Sequence, residues 1–143
     1  MQARWPVADR YLLAKALADI RDAVARIREV LPADADTFAR DRTAREVVTL
    51  NLFVALQHCL SVTTHWLADA RLDVPAASRE AFLALGDRKV LPPDLAGRLA
   101  AASGLRNLIA HRYGVLDWLR IHAVAATDLG DLLQFCDEME RAS

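Results

Sequence analysis

The chain has 143 residues, of which 54% are hydrophobic and only 6% aromatic, and its formal net charge is −1 at neutral pH. This length suits one domain with a proper core, so we expect a single domain over residues 1–143. The near-neutral charge excludes a generally basic coat for wrapping nucleic acid. Cys59 and Cys136 match no metal spacing, and we interpret them as reduced core residues of a cytoplasmic protein.

The first predicted helix begins near Pro6 and ends near Leu31, just before Pro32. Its apolar residues alternate spacings of four and three, which is typical of an amphipathic helix in a bundle. They are Leu13, Leu17, Ile20, Val24, Ile27 and Leu31. A short turn at 33–36 is predicted to follow.

The second predicted helix runs from about Arg40 to Ala70 and carries no charged residue from Val47 to Leu67. A helix that is apolar nearly all round is normally buried on several sides. Asn51 argues against a membrane span, as do the Gln and His residues nearby. We therefore expect a central helix that packs internally on one face and against a partner subunit on another.

Three more helices are predicted after the break at Pro75. A short one runs from about Ser78 to Leu85 and ends at Gly86. The next begins near Pro93, runs to about Tyr113 and stops at Gly114. Asp117 is expected to cap a last helix that reaches about Glu140, with a bend or interruption at 127–130. The predicted fold class is all-α: an up-and-down bundle of four main helices plus a short one.

Basic residues concentrate between positions 98 and 122, a stretch that contains four arginines and a single acidic residue, Asp117. Such a local positive zone on a near-neutral protein favours a confined anion site. Within it, Asn107 and His111 lie four residues apart and share a helix face with Ser103. Arg106 lies on a neighbouring, otherwise apolar stripe, where a charge requires an anion or good hydrogen bonding. This anomaly is the strongest functional indication in the chain.

A cationic Arg, a titratable His and a polar amide suit chemistry at a phosphodiester. In RNA the 2′-hydroxyl is an internal nucleophile, so cleavage requires its deprotonation, charge stabilisation and protonation of the leaving group. The same residues near a helix end also suit a purely structural role, in which they cap carbonyls and tie two helices together. The residues alone leave both interpretations open.

Residues 106–113 read R-x4-H-x-Y, preceded by Gly104 and Leu105, and this stretch resembles the HepT-like toxins of the HEPN superfamily. The resemblance implies a type II toxin–antitoxin pair in which the toxin is a homodimeric, metal-independent endoribonuclease without a cofactor. It also implies a small nucleotidyltransferase antitoxin as partner and RNA as substrate. Two copies of the motif would meet across the two-fold axis and form one cleft.

The resemblance also implies roles for individual residues. Arg106 would stabilise the phosphorane-like charge and His111 would transfer protons. Asn107 would orient His111 or the phosphate. Tyr113 matches a tyrosine that the partner nucleotidyltransferase modifies with AMP groups, which would block RNA. A non-catalytic HEPN subunit that binds nucleotide or RNA and supports the nucleotidyltransferase is the alternative, and a plain helical dimerisation module is the third interpretation.

Other residues receive simpler predictions. Ser103 and Arg112 are expected to contact RNA, and His122 is expected to be solvated. No metal site is predicted, because His58 and His65 have no acidic or thiol ligand at a supporting spacing. The tryptophans are expected to be packing anchors: Trp5, Trp66 and Trp118.

Overall fold

The computed structural model describes residues 7–143, so Trp5 and the predicted start at Pro6 lie outside the described residues. The described range forms seven α-helices and one 3-10 helix, Tyr113–Val115. The α-helices are α1 Val7–Val30, α2 Ala35–Arg40, α3 Arg42–Asp69, α4 Ser78–Asp87, α5 Pro93–Arg112, α6 Trp118–Thr127 and α7 Leu129–Arg141. The predicted all-α class is confirmed.

The bundle departs from the predicted one in the segment before α3. The turn expected at 33–36 leads into α2, which is capped by Asp34: its Oδ2 accepts hydrogen bonds from Thr37 N at 3.0 Å and Thr37 Oγ1 at 2.9 Å. Phe38 anchors this short helix in the core. The expected last helix is divided into α6 and α7 at Asp128, as the turn-forming residues there predicted.

The short helix α4 does not end at Gly86 as predicted. Gly86 lies buried inside the helix, and a Cβ there would be only 2.7 Å from Ala96 Cβ. The glycine therefore permits a close approach of α4 to α5. The chain reverses further on, where Lys89 adopts a left-handed φ of 59° and Val90 N donates to Leu85 O at 3.0 Å.

The central helix α3 packs against α1, α2, α4, α5, α6 and α7, as expected of a helix that is apolar on several sides. By length and composition alone it is also long and apolar enough to cross a membrane, and it is the one such helix in the described range. One row of its side chains stays partly or fully exposed, and we call it the α3 stripe. It comprises Leu50, Phe53, Gln57, Leu60 and Thr64.

The helix that carries the motif, α5, packs against α4, α3 and α7. It ends at Arg112, within one residue of the predicted end, and Gly114 lies in the following 3-10 helix. The next helix begins as predicted: Asp117 Oδ1 accepts a hydrogen bond from Leu119 N at 3.0 Å. The motif thus spans the end of one helix and a tight turn.

Candidate functional site

Arg106 is held in place by three hydrogen bonds. Its Nε and Nη2 both donate to Gln57 Oε1, at 2.8 and 2.5 Å. Its Nη1 donates to Asn107 Oδ1 at 2.7 Å. The Cζ atom also lies 5.7 Å from the centre of the Phe53 ring, within the range of a cation–π contact. Two residues of the α3 stripe therefore fix the guanidinium.

The partners of Arg106 are neutral amides, which distinguishes it from other arginines of the chain. Arg21 pairs with Asp137 and Glu140, and Arg98 pairs with Asp131. A guanidinium has five N–H donors, and the bonds of Arg106 use three of them. Arg106 thus keeps its full positive charge and two donors for an external anion. Gln57 was not singled out by the sequence analysis; its only signal is a polar side chain within the uncharged run.

Asn107 and His111 lie on the exposed face of α5, one turn apart. Asn107 uses its side-chain oxygen to hold Arg106. His111 lies in the last turn and makes no hydrogen bond with another described residue, so its ring is open to an incoming molecule. Asn107 therefore orients the arginine in this structure, and orientation of His111 or a phosphate, which the family resemblance implies, remains a prediction.

An open groove of about 560 Å³ lies between the start of α4 and the second half of α5, and we call it the α4–α5 groove. Its lining includes Arg79, Arg106, Asn107 and His111, and among the described residues that line it there is no carboxylate. The other lining residues are small: Ala76, Ala77, Ser78, Ala100, Ala101, Ser103 and Gly104. The arrangement forms a cationic surface with room for an anion.

Arg79 is a residue of this groove that the sequence analysis missed. Its side chain is exposed and makes no hydrogen bond or ion pair with a described residue. It is remote from the motif in sequence, and only the packing of α4 on α5 brings it to the same groove as Arg106. No local pattern in the sequence signals this proximity.

The two residues expected to contact RNA occupy different environments. Ser103 is only 5% exposed, and its Oγ donates to Ala100 O at 2.6 Å, so its hydroxyl is engaged within its own helix. It forms part of the groove wall without offering a free donor. Arg112 is exposed and makes no ion pair with a described side chain, so its charge is available.

Tyr113 begins the 3-10 helix and is 45% exposed. Its ring packs edge-on against Trp118, with the ring centres 6.2 Å apart. Trp118 in turn packs edge-on against Phe38, and the centre of its ring lies 5.0 Å from Arg45 Cζ. Trp118 is thus the packing anchor that was predicted, and it supports a tyrosine that remains accessible to solvent.

Two expectations about histidines are wrong. His122 is buried rather than solvated: its Nε2 lies 2.7 Å from Pro32 O, and its ring packs against Phe38, because α2 covers this face of α6. His65 does have acidic neighbours. Its Nε2 lies 3.2 Å from Asp69 Oδ2 and 3.5 Å from Asp9 Oδ2, which joins α1 to α3.

Solved structures of toxin–antitoxin complexes contain chains with the same fold as this protein. The structure is similar to a tri-AMPylated HEPN toxin of Shewanella oneidensis in complex with an MNT antitoxin, with 28% identity and a TM-score of 0.81 over 90% of this chain and 96% of the other. It is also similar to a toxin–antitoxin complex with AMP-PNP, with 27% identity and a TM-score of 0.82 over 90% and 97% of the two chains. The all-helical architecture is therefore that of HEPN toxins.

The family model described as "Ribonuclease HepT-like" matches residues 20–139, and the chain belongs to this family. A tRNA nuclease HepT of Aphanizomenon flos-aquae is 34% identical over 61 residues. That match covers 43% of this chain and 42% of the relative, so the matched segment spans less than half the length of the relative. The family expected from the motif is confirmed.

Proposed function

We propose that this chain is the toxin of a type II toxin–antitoxin pair and a metal-independent endoribonuclease that acts in the cytoplasm without a cofactor. The observation that carries the proposal is Arg106, a cation fixed by neutral amides with two donors unused, close to an exposed His111. The HepT-like ribonuclease family supports RNA as the substrate class. The relative named as a tRNA nuclease makes tRNA the first substrate to test.

The proposed reaction is attack by the ribose 2′-hydroxyl on the adjacent phosphorus. The O2′–P bond forms, the P–O5′ bond breaks, and the products are a 2′,3′-cyclic phosphate and a 5′-hydroxyl. Arg106 stabilises the negative charge that develops on the non-bridging oxygens. His111 moves a proton, either from the 2′-hydroxyl or to the departing 5′-oxygen. Asn107 is a positioning residue that acts through Arg106.

We further propose that the active form is a homodimer across the α3 stripe. Leu50 is 61% exposed at one end of this uncharged row, and Phe53 and Gln57 continue it to Arg106. A two-fold interface uses the same patch on both copies, so it would bring two sites together. This explains how a site with one histidine per copy obtains both an acid and a base.

The proposed partner is a small nucleotidyltransferase antitoxin that modifies Tyr113 with AMP. A similar HEPN toxin is tri-AMPylated and bound to an MNT antitoxin, and Tyr113 of this chain is 45% exposed on a turn beside Arg112. Each AMP group adds a negatively charged phosphodiester. That charge would compete with RNA for the cations of the site.

The test uses purified full-length protein, free of any partner, incubated with total RNA or tRNA in EDTA. Mass spectrometry first establishes that Tyr113 is unmodified. We expect cleavage that falls at least about a hundredfold in Arg106→Ala and His111→Ala. Arg28→Ala is the matched control, because Arg28 is exposed on α1 and forms no ion pair with a described residue.

Two other results would count against catalysis. Unmodified, folded protein that binds RNA or nucleotide without cleaving it would support the non-catalytic subunit instead. Unmodified, folded protein that neither binds nor cleaves RNA, and that loses stability in the His111→Ala variant, would support the dimerisation module, because catalytic residues contribute little to stability or oppose it.

A further inference from the structure

We infer that Arg79 binds a second phosphate of the RNA strand, so that the α4–α5 groove is the path of the strand away from the scissile phosphate. The inference rests on the proposed function, since it assigns a substrate-binding role within the same site. It adds a cation from α4, an element outside the motif. Arg79 and Arg106 line one groove, and they come from different helices.

Arg79 is the one arginine within α4, and its charge environment differs from that of Arg98 on α5. Arg98, on α5, is held by Asp94 and Asp131. Arg79 has no such partner in the described part of the chain, and no carboxylate lines its groove there. An exposed guanidinium that is not neutralised locally is suited to a phosphate, which it binds through two parallel hydrogen bonds.

The shape of the groove indicates recognition of the strand backbone. Its volume of about 560 Å³ lies within the usual range for small-molecule sites, and apart from Arg79, Arg106, Asn107 and His111 its wall is built from Ala, Gly and Ser. Among the described residues that line it, none is Phe, Tyr or Trp, so the groove offers no large aromatic platform on which a base would stack. Arg79 is therefore expected to bind RNA with little dependence on sequence.

Helix packing fixes the relative position of the two backbone segments that carry Arg79 and Arg106. Arg79 lies in the first turn of α4, and α4 packs closely on α5, where Gly86 faces Ala96. Arg106 is itself held by Gln57 and Asn107. Helix packing therefore fixes the backbones that carry the two cations, which limits the entropy lost when they bind two phosphates of one strand.

The test measures binding to a short single-stranded 2′-O-methyl RNA, which cannot be cleaved because it has no free 2′-hydroxyl. Fluorescence anisotropy is recorded for the full chain, Arg79→Ala, Arg79→Lys and the control Arg28→Ala over a range of salt concentrations. We expect Arg79→Ala to weaken binding roughly tenfold and to reduce the slope of log K against log salt by about 0.7. Arg79→Lys should retain most of the slope.

With cleavable RNA, Arg79→Ala should raise KM by a similar factor and leave kcat within about twofold, because it binds ground state and transition state alike. Unchanged affinity and salt slope in folded Arg79→Ala would overturn the inference. So would a variant that weakens only the antitoxin complex, because the groove would then be a protein-binding surface.

The binding assay separates this inference from the proposed activity. Unmodified protein that binds the 2′-O-methyl RNA through Arg79 but cleaves no RNA would support the strand path and contradict the ribonuclease. If the unsubstituted protein and Arg79→Ala cleave RNA equally well and with equal KM, the result would support the ribonuclease and contradict the strand path.

Discussion

Gln57 on α3 accepts two hydrogen bonds from Arg106 on α5 through one side-chain oxygen. The contact orients the guanidinium without neutralising it, because an amide carries no net charge. It also ties the motif to the α3 stripe, along which we propose that two copies associate. The position of Gln57 therefore allows the charge of Arg106 to be tested without removing the arginine.

Gln57→Glu should keep Arg106 in place but remove much of the stabilisation that Arg106 gives to the phosphate. The new carboxylate would accept the same hydrogen bonds, but the ion pair would offset the positive charge that a phosphate requires. We expect RNA cleavage to fall at least about tenfold while the melting temperature stays within about 2 °C. Gln134→Glu on α7 is the matched control, and equal activity of the two variants would show that the charge of Arg106 is unimportant.

Leu50→Asp should prevent dimer formation without unfolding the protomer, because Leu50 is 61% exposed. We expect light scattering to report a monomer and cleavage to fall by about a hundredfold or more, since each copy would lack the second proton-transfer group. Leu12→Asp on α1 is matched in exposure, at 59%, and should leave both properties unchanged. A fully active monomer would contradict the proposed interface.

Gly86→Ala should destabilise the protein by about 1–3 kcal/mol, because its Cβ would lie 2.7 Å from Ala96 Cβ. The double variant Gly86→Ala/Ala96→Gly lacks the opposing methyl group of Ala96. It should therefore recover most of the lost free energy of unfolding, as measured by urea unfolding. Gly97→Ala on α5 is the control: a Cβ there meets nothing within 4 Å, so the substitution should stabilise the helix by about 0.5–1 kcal/mol. Additive effects in the double variant would contradict the contact.

Stability should fall at high pH in part because of two buried thiols. Burial raises the pKa of Cys136 to about 11, and it raises that of Cys59 well above the usual value. The unfolded chain therefore loses these protons first, near pH 9, so each thiol weakens the folded state above that pH, and for Cys136 the loss continues to about pH 11. Urea unfolding at increasing pH should show a shallower decline in Cys136→Ala than in the unsubstituted protein.

An equally steep decline of stability with pH in Cys136→Ala and in the unsubstituted protein would contradict the contribution of the buried thiol. Native thiol alkylation gives a second measurement of the same burial. Cys59 and Cys136 should react slowly with iodoacetamide in the folded state and rapidly in urea, because the thiolate is the reactive form.

The sequence predicted the features that depend on local pattern. Helical periodicity predicted the bundle, and the predicted end of the motif helix near Tyr113 correctly placed His111 in its last turn. The six-residue α2 was missed because it is too short to display a period, and the burial of His122 was missed with it. Arg79 and Gln57 were missed because only the packing of α4 and α3 on α5 brings them to the motif.

The neutral surroundings of Arg106 have a consequence for selectivity. An arginine that is paired with a carboxylate must exchange one ion pair for another when an anion arrives or leaves, whereas Arg106 has two unused donors and need not give up its amide partners. Its preference among anions is correspondingly weak, so inorganic phosphate and sulfate should act as competitive inhibitors of RNA cleavage. Discrimination between RNA and these small anions must therefore arise from the wider groove, where a strand with several phosphates makes contacts that a single ion does not.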